Sequence, residues 1–280
     1  MLSDQAMVTS ASMQRLSTGN EFVAIPDVSI PRAGIETISF MYTAFRACVE
    51  LSGAADRPLV KPILEIDGRD AFCEGVRGDL VSFWVPRFDV SLGGVDASAV
   101  FFAPLERRGF ACVLTVTNGS AKEVKLRAGW RGCWESTHHT ARLAKLMAGV
   151  KHAYMSSWTP GVPVIEYRGH TPLFAMALLA QDAACSRVWG GDLETCPSDW
   201  AGDSVTARPG QPVHYELADE HVLAPGGSKV IPVYVGIGLE EVSAIASARE
   251  LKLQGWERML AGLTAWLDTR TIDCDDPYLK

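Results

Sequence analysis

The chain has 280 residues, 48% of them hydrophobic and 21% charged, with a net charge of −7 and a pI near 5.4. That is enough apolar material for a sizeable globular core, and the acidic balance excludes bulk attraction to nucleic acid or an anionic membrane surface. No apolar run approaches the roughly 20 residues that span a bilayer, and Met1 to Leu16 lacks the basic start and apolar stretch of a secretory leader.

Along the chain, short strands are expected at Thr37–Ala44, Ala47–Glu50, Leu59–Ile66, Leu80–Val90, Ala99–Pro104, Ala111–Thr117 and Val124–Ala128. Turn dipeptides with a backbone reason separate them: Asp67-Gly68, Gly93-Gly94 and Asn118-Gly119. Apolar residues alternate on both sides of Asn118-Gly119, so Gly109 to Leu126 reads as a hairpin. His138 to Lys151 fits either period. Leu143, Leu146, Met147 and Val150 have helical spacing, whereas Gly149 and the Gly/Trp-rich flanks favour a strand, the reading adopted.

Further strands are expected at Val162–Tyr167, Leu173–Leu179, Val213–Leu217 and Lys229–Gly236, with a second pairing of strands across Pro225-Gly226-Gly227. The tail differs. From Leu239 to Arg270, Leu253, Trp256, Leu260, Leu263 and Leu267 step by three and four residues, which predicts one or two helices. At the end, Asp276-Pro277 reads as a helix start. The expected fold is mainly β, a large antiparallel sandwich with one or two C-terminal linker helices. Its expected divisions are a sandwich over 1–238, a helical linker over 239–270 and the opening of an absent helical domain over 271–280.

Several residue groups invite a chemical reading. Asp192, Glu194 and Asp199 cluster with Trp189 and Trp200, a set suited to sugar contact through carboxylate–hydroxyl bonds and indole stacking. A solvated loop anchored by two tryptophans is the weightier alternative. His138 and His139 are adjacent on an expected strand and face opposite ways, so they do not share a metal. His152, His170, His214 and His221 have no Asp or Cys partner at meaningful spacing. Asp273, Asp275 and Asp276 suit a helix N-terminus better than a calcium loop. Gly236-Ile237-Gly238 precedes a helix, but a third glycine and an acidic ribose partner are missing from the phosphate-binding pattern. The seven cysteines contain no C-x-x-C pair, which points to reduced thiols in a cytoplasm and no structural zinc. No cofactor and no bound metal are expected.

Three stretches together carry a family resemblance. They are Val113–Ser120 with Leu126–Trp134; Leu223–Gly227 with Ile231–Gly238; and Leu253–Leu260 followed by Trp266-Leu267. They resemble the β-supersandwich domain preceding the (α/α)6, or six-hairpin, barrel of glycogen-debranching and glucoamylase-like glycoside hydrolases. The likeness runs from Thr37 to Lys280 and consists of strand, turn and linker arrangements without a catalytic signature. It implies that acid and base carboxylates belong to loops of a helical toroid which the sandwich supports, and that this chain holds no catalytic residue. It further implies a helical partner domain packed on Leu253, Trp256, Leu260 and Trp266, and an oligosaccharide as ligand. A stand-alone carbohydrate-binding module is the alternative. A self-contained enzyme using the Asp192–Asp203 loop is a third.

Overall fold

The structure, a computed structural model, describes residues 15–42, 47–139, 150–168, 172–182, 185–192, 195–198, 202–208 and 210–269. In chain order the strands are β1 (Arg15–Gly19), β2 (Val23–Ser29), β3 (Gly34–Tyr42), β4 (Ala47–Ser52), β5 (Lys61–Ile66), β6 (Arg69–Asp70) and β7 (Arg77–Leu80). Next come β8 (Pro86–Leu92), β9 (Val95–Phe102), β10 (Gly109–Asn118), β11 (Val124–Trp134), β12 (Ser136–His139) and β13 (Val150–Met155). The remainder are β14 (Pro163–Arg168), β15 (Pro172–Ala180), β16 (Ser186–Gly190), β17 (Ser204–Ala207), β18 (Val213–Leu223) and β19 (Ser228–Gly238), then α1 (Glu241–Gln254) and α2 (Trp256–Asp268).

The strands form three antiparallel sheets. A large sheet has the order β17-β13-β14-β15-β19-β10-β9-β8-β7, and two smaller ones run β1-β2-β3-β4-β12 and β16-β18-β11-β5-β6. The smaller sheets meet at a backbone bridge between Ile35 and Val60. Alternating residues of all three sheets enter one core, among them Ile38, Leu51, Phe101, Cys112, Trp130, Tyr215 and Val235. Edge-to-face rings lock the layers together: Phe101 on Trp130 at 5.8 Å and Trp134 on Phe174 at 5.5 Å.

The opposite face of the large sheet is covered by the helices. Met259 and Leu263 of α2 bury against Phe102, Ala111, Val113 and Tyr234. Ala244 and Ile245 of α1 bury against Val164, Ala175 and Ala177. The helices part at Gly255, which takes a φ of +80°, a conformation that favours glycine. Gly236 and Gly238 explain why α1 lies so close to β19. A Cβ on Gly236 would sit 2.1 Å from the Ala244 carbonyl oxygen, and one on Gly238 would sit 2.2 Å from Ser243 Oγ. This glycine pair therefore serves helix–sheet approach.

Two sequence expectations are corrected here. Gly109 to Leu126 is not a hairpin: β10 pairs with β9 and β19 in the large sheet, whereas β11 pairs with β5 and β18 in a small one. The pairing expected across Pro225-Gly226-Gly227 fails likewise, because β18 and β19 lie in different sheets. Both connections are arches that carry the chain between layers. Neither Asn118 nor Gly119 has the positive φ a two-residue hairpin turn needs. Instead Asn118 is buried. Its Nδ2 donates to the carbonyls of Lys122, Leu223 and Ala224 at 2.7, 2.9 and 3.2 Å, tying the arches together. Alternation fixes which face a side chain takes and says nothing of which strand lies beside it.

Leu80–Val90 is interrupted at residues 81–85, where Trp84 takes a φ of +73°. The β reading of His138 to Lys151 has strands at its two ends, β12 and β13, and residues 140–149 lie outside the described set. Among the described residues no helix is long and apolar enough to cross a membrane.

Candidate functional site

The outward face of the sheet β16-β18-β11-β5-β6 collects the strongest concentration of buried charge. Leu126, Ala128, Trp130 and Trp134 of β11 point into the core, which turns Arg127, Arg131 and Cys133 outward. On β18 the same alternation turns His214 and Glu216 outward, on β5 Lys61 and Glu65, and on β16 Arg187 and Trp189. Register then sets opposite charges side by side: Arg131 faces Glu216, Arg127 faces Glu65, and Arg187 faces Glu216, while Lys61 is the like-charged neighbour of Arg131 on its other side. Four of the ten buried polar or charged residues (Lys61, Arg131, His214 and Glu216) lie here, so this face is the polar centre of the described residues.

Glu216, only 3% exposed, is ringed by guanidinium groups. It pairs with Arg127, with Arg187 Nε at 3.4 Å and with Arg131 Nε at 3.7 Å. Glu65 takes the remaining arms, from Arg127 at 3.0 Å and Arg131 at 2.6 Å. Burial works against the Arg127 charge, but the Glu216 and Glu65 carboxylates more than offset it and its pKa rises. Beside this network, Lys61 Nζ lies 3.0 Å from Cys73 Sγ and 3.5 Å from Asp70 Oδ2. The space bounded by Arg57, Arg131 and His214 is about 10 Å³, roughly one water molecule by volume. No sugar ring enters it. The chemistry available here is charge neutralisation and anchorage.

The residues singled out for sugar contact take unequal positions. Trp189 is 0% exposed and stacks on the His214 imidazole at 5.2 Å and 11°. His214 Nε2 lies 2.9 Å from the Gly191 carbonyl oxygen. Asp192 is exposed, and its carbonyl accepts from Arg57 Nη1 at 2.6 Å. Glu194, Asp199 and Trp200 lie outside the described residues, as do Asp273, Asp275 and Asp276. Of the residues assigned to partner packing, Trp256 and Leu260 are partly buried against the large sheet. Leu253 and Trp266 are 89% and 40% exposed. Trp130 and Trp134 are core residues whose indole N–H groups donate to the Ile231 and Ser136 carbonyls.

Two further polar clusters have structural readings. Lys151 is buried, and its ammonium donates to the carbonyls of Trp134, Glu135 and Gln211. Burial lowers its pKa to about 8. Tyr154 Oη lies 3.1 Å from Glu166 and 3.3 Å from Glu241, while Ser156 donates to Glu241, which fastens the start of α1 to the large sheet. Among the described residues no group of three or more His, Cys, Asp or Glu could hold a metal ion.

A second site was invisible in the sequence. A cleft of about 340 Å³ opens between the layers, with Ala128, Trp130 and Leu217 on one side and Ile231 and Pro232 on the other. Asp182, Asp219, Glu220, His221 and Lys229 also line it. Lys229 pairs with Asp182 at 3.3 Å, and Asp219 accepts from the Cys185 N–H at 2.7 Å. Burial, then the Lys229 charge, holds the His221 pKa below its ordinary value. The cleft draws on four separate strands and the segment after β15. Of its polar residues only His221 was weighed as a chemical group from the sequence, where it shows no Asp or Cys partner at meaningful spacing.

No protein-family model matches the chain, and no curated protein matches its sequence. Solved structures do. An aldose 1-epimerase-like protein of Escherichia coli K12 superposes with a TM-score of 0.53 at 12% identity, over 80% of this chain and 98% of that one. A bacterial glucoamylase complexed with acarbose also gives 0.53, at 11% identity, over 88% of this chain and 35% of that one. The fold is the β-supersandwich. The expectation of a glycoside hydrolase-like sandwich is met at the level of fold. The supersandwich spans about a third of the glucoamylase and nearly the whole of the epimerase-like protein.

Proposed function

We propose that this supersandwich is a non-catalytic domain of a cytoplasmic carbohydrate-active enzyme, supporting a helical (α/α)6 domain that supplies the reactive carboxylates. The observation that carries this reading is the state of the carboxylates on the charged face. Glycoside hydrolysis requires two carboxyl groups roughly 5 to 9.5 Å apart across an open gap that admits the sugar. Here Glu216 and Glu65 are clasped by Arg127 and Arg131, beside a space of about 10 Å³. The fold shared with the glucoamylase supports the carbohydrate assignment, and exposed Leu253 and Trp266 on the helices offer apolar contact to a companion.

The isolated chain is expected to leave p-nitrophenyl α-glucoside and maltose intact at any enzyme concentration, followed by product absorbance and by released glucose. Hydrolysis that scales with protein and disappears in Glu216→Gln would defeat the proposal. The cleft between the layers favours a second reading, a carbohydrate-binding module that works without a companion.

A further inference from the structure

We infer that the cleft between the layers binds a neutral or cationic polyhydroxylated ligand of one or two sugar rings. The choice of sugars as the chemical class rests on the carbohydrate reading above. Three observations support a built site. First, its volume of about 340 Å³ falls within the roughly 300–1,000 Å³ typical of ligand cavities. Second, its floor is apolar: Leu217, Ile231 and Pro232 present hydrocarbon, which suits the C–H face of a pyranose.

Third, the rim holds unused hydrogen-bonding capacity. Asp182 is engaged by Lys229 and Asp219 by the Cys185 N–H. Gln181 and His221 line the same cleft, and among the described residues their side chains make no hydrogen bond. An amide and an imidazole are planar groups that meet vicinal hydroxyls with donors and acceptors. Charge sets the preference between ligands. Asp182 and Asp219 outnumber Lys229, and burial and the Lys229 charge both disfavour the protonated form of His221. An anionic sugar therefore meets net repulsion in a partly desolvated cleft.

Isothermal titration of the full chain at pH 7 with maltose, glucosamine and glucuronate tests the assignment. Binding of maltose and glucosamine is expected, with glucuronate at least tenfold weaker. Gln181→Trp, which plugs the mouth, and His221→Ala are each expected to weaken maltose at least tenfold. Gln181 is exposed and His221 partly buried, and an unchanged melting temperature confirms that the fold is intact. Trp158→Ala removes an indole that is 72% exposed and is expected to change nothing. Equal affinity for glucuronate overturns the inference. So does loss of binding in Trp158→Ala with no effect of Gln181→Trp, or no heat with any of the three sugars. Such a negative titration sinks the cleft while leaving the proposed support function to stand or fall on the hydrolysis assay.

Discussion

Replacing Glu216 with leucine is expected to destabilise the protein by about 3–5 kcal/mol, because breaking a buried ion pair leaves its partner charges uncompensated. The midpoint of thermal unfolding should fall by roughly 10 °C for a chain of this size. The reason is local and asymmetric. Glu216 is the shared ion-pair partner of Arg127, Arg131 and Arg187. Arg127 and Arg131 retain Glu65, but one carboxylate then stands against two guanidinium groups on a face where Arg131 is buried. Glu216→Gln keeps the shape and an acceptor oxygen, so it should cost distinctly less. Urea unfolding followed by circular dichroism measures both. A loss below about 1 kcal/mol for Glu216→Leu, the range of surface ion pairs, would mean that the network is solvated and carries no structural weight.

Asn118→Ala is expected to cost about 3 kcal/mol, measured in the same way. The substitution removes a side chain whose Nδ2 serves three carbonyls and whose Oδ1 accepts from the Ser120 N–H at 3.0 Å. Each net hydrogen bond is worth about 1 kcal/mol, and carbonyls left buried without a partner add a desolvation penalty. The effect should exceed that of an ordinary turn asparagine because two arches fail together. Asn118 also exchanges backbone bonds with Gly227 and Gly226, at 2.9 and 2.8 Å. Asn118→Asp keeps the acceptor and loses the donors, so it should lie close to alanine. If Asp restored wild-type stability, the donated bonds to Leu223 and Ala224 would not matter.

These positions also mark how far the sequence could be read. Strand content and the helical tail were legible because alternation and three-to-four spacing are local properties. Partnering was not. Asn118-Gly119 carries a strong hairpin signal, yet the fold uses the asparagine as a buried tie between layers. Short strands such as β1, β16 and β17 escaped notice: Arg15–Gly19, Ser186–Gly190 and Ser204–Ala207 are four or five residues long, with few apolar positions to count. On the charged face, each arginine and glutamate looked like an ordinary surface residue until register placed Arg131 opposite Glu216. Trp189 has the composition of a sugar platform, but its position across from His214 buries it. Gly236 and Gly238 looked like half of an anion loop, whereas the contact they permit with α1 is long-range information.

The central claim is that these sheets hold no reactive pair of their own. Its most direct test is polarimetric mutarotation of freshly dissolved α-D-glucose, because the epimerase-like protein is covered almost end to end by this chain. The account predicts a rate equal to the spontaneous one across a hundredfold range of protein concentration. Acceleration proportional to protein, abolished by His214→Ala or Glu216→Gln in a folded variant, would contradict it and make the charged face a catalytic centre.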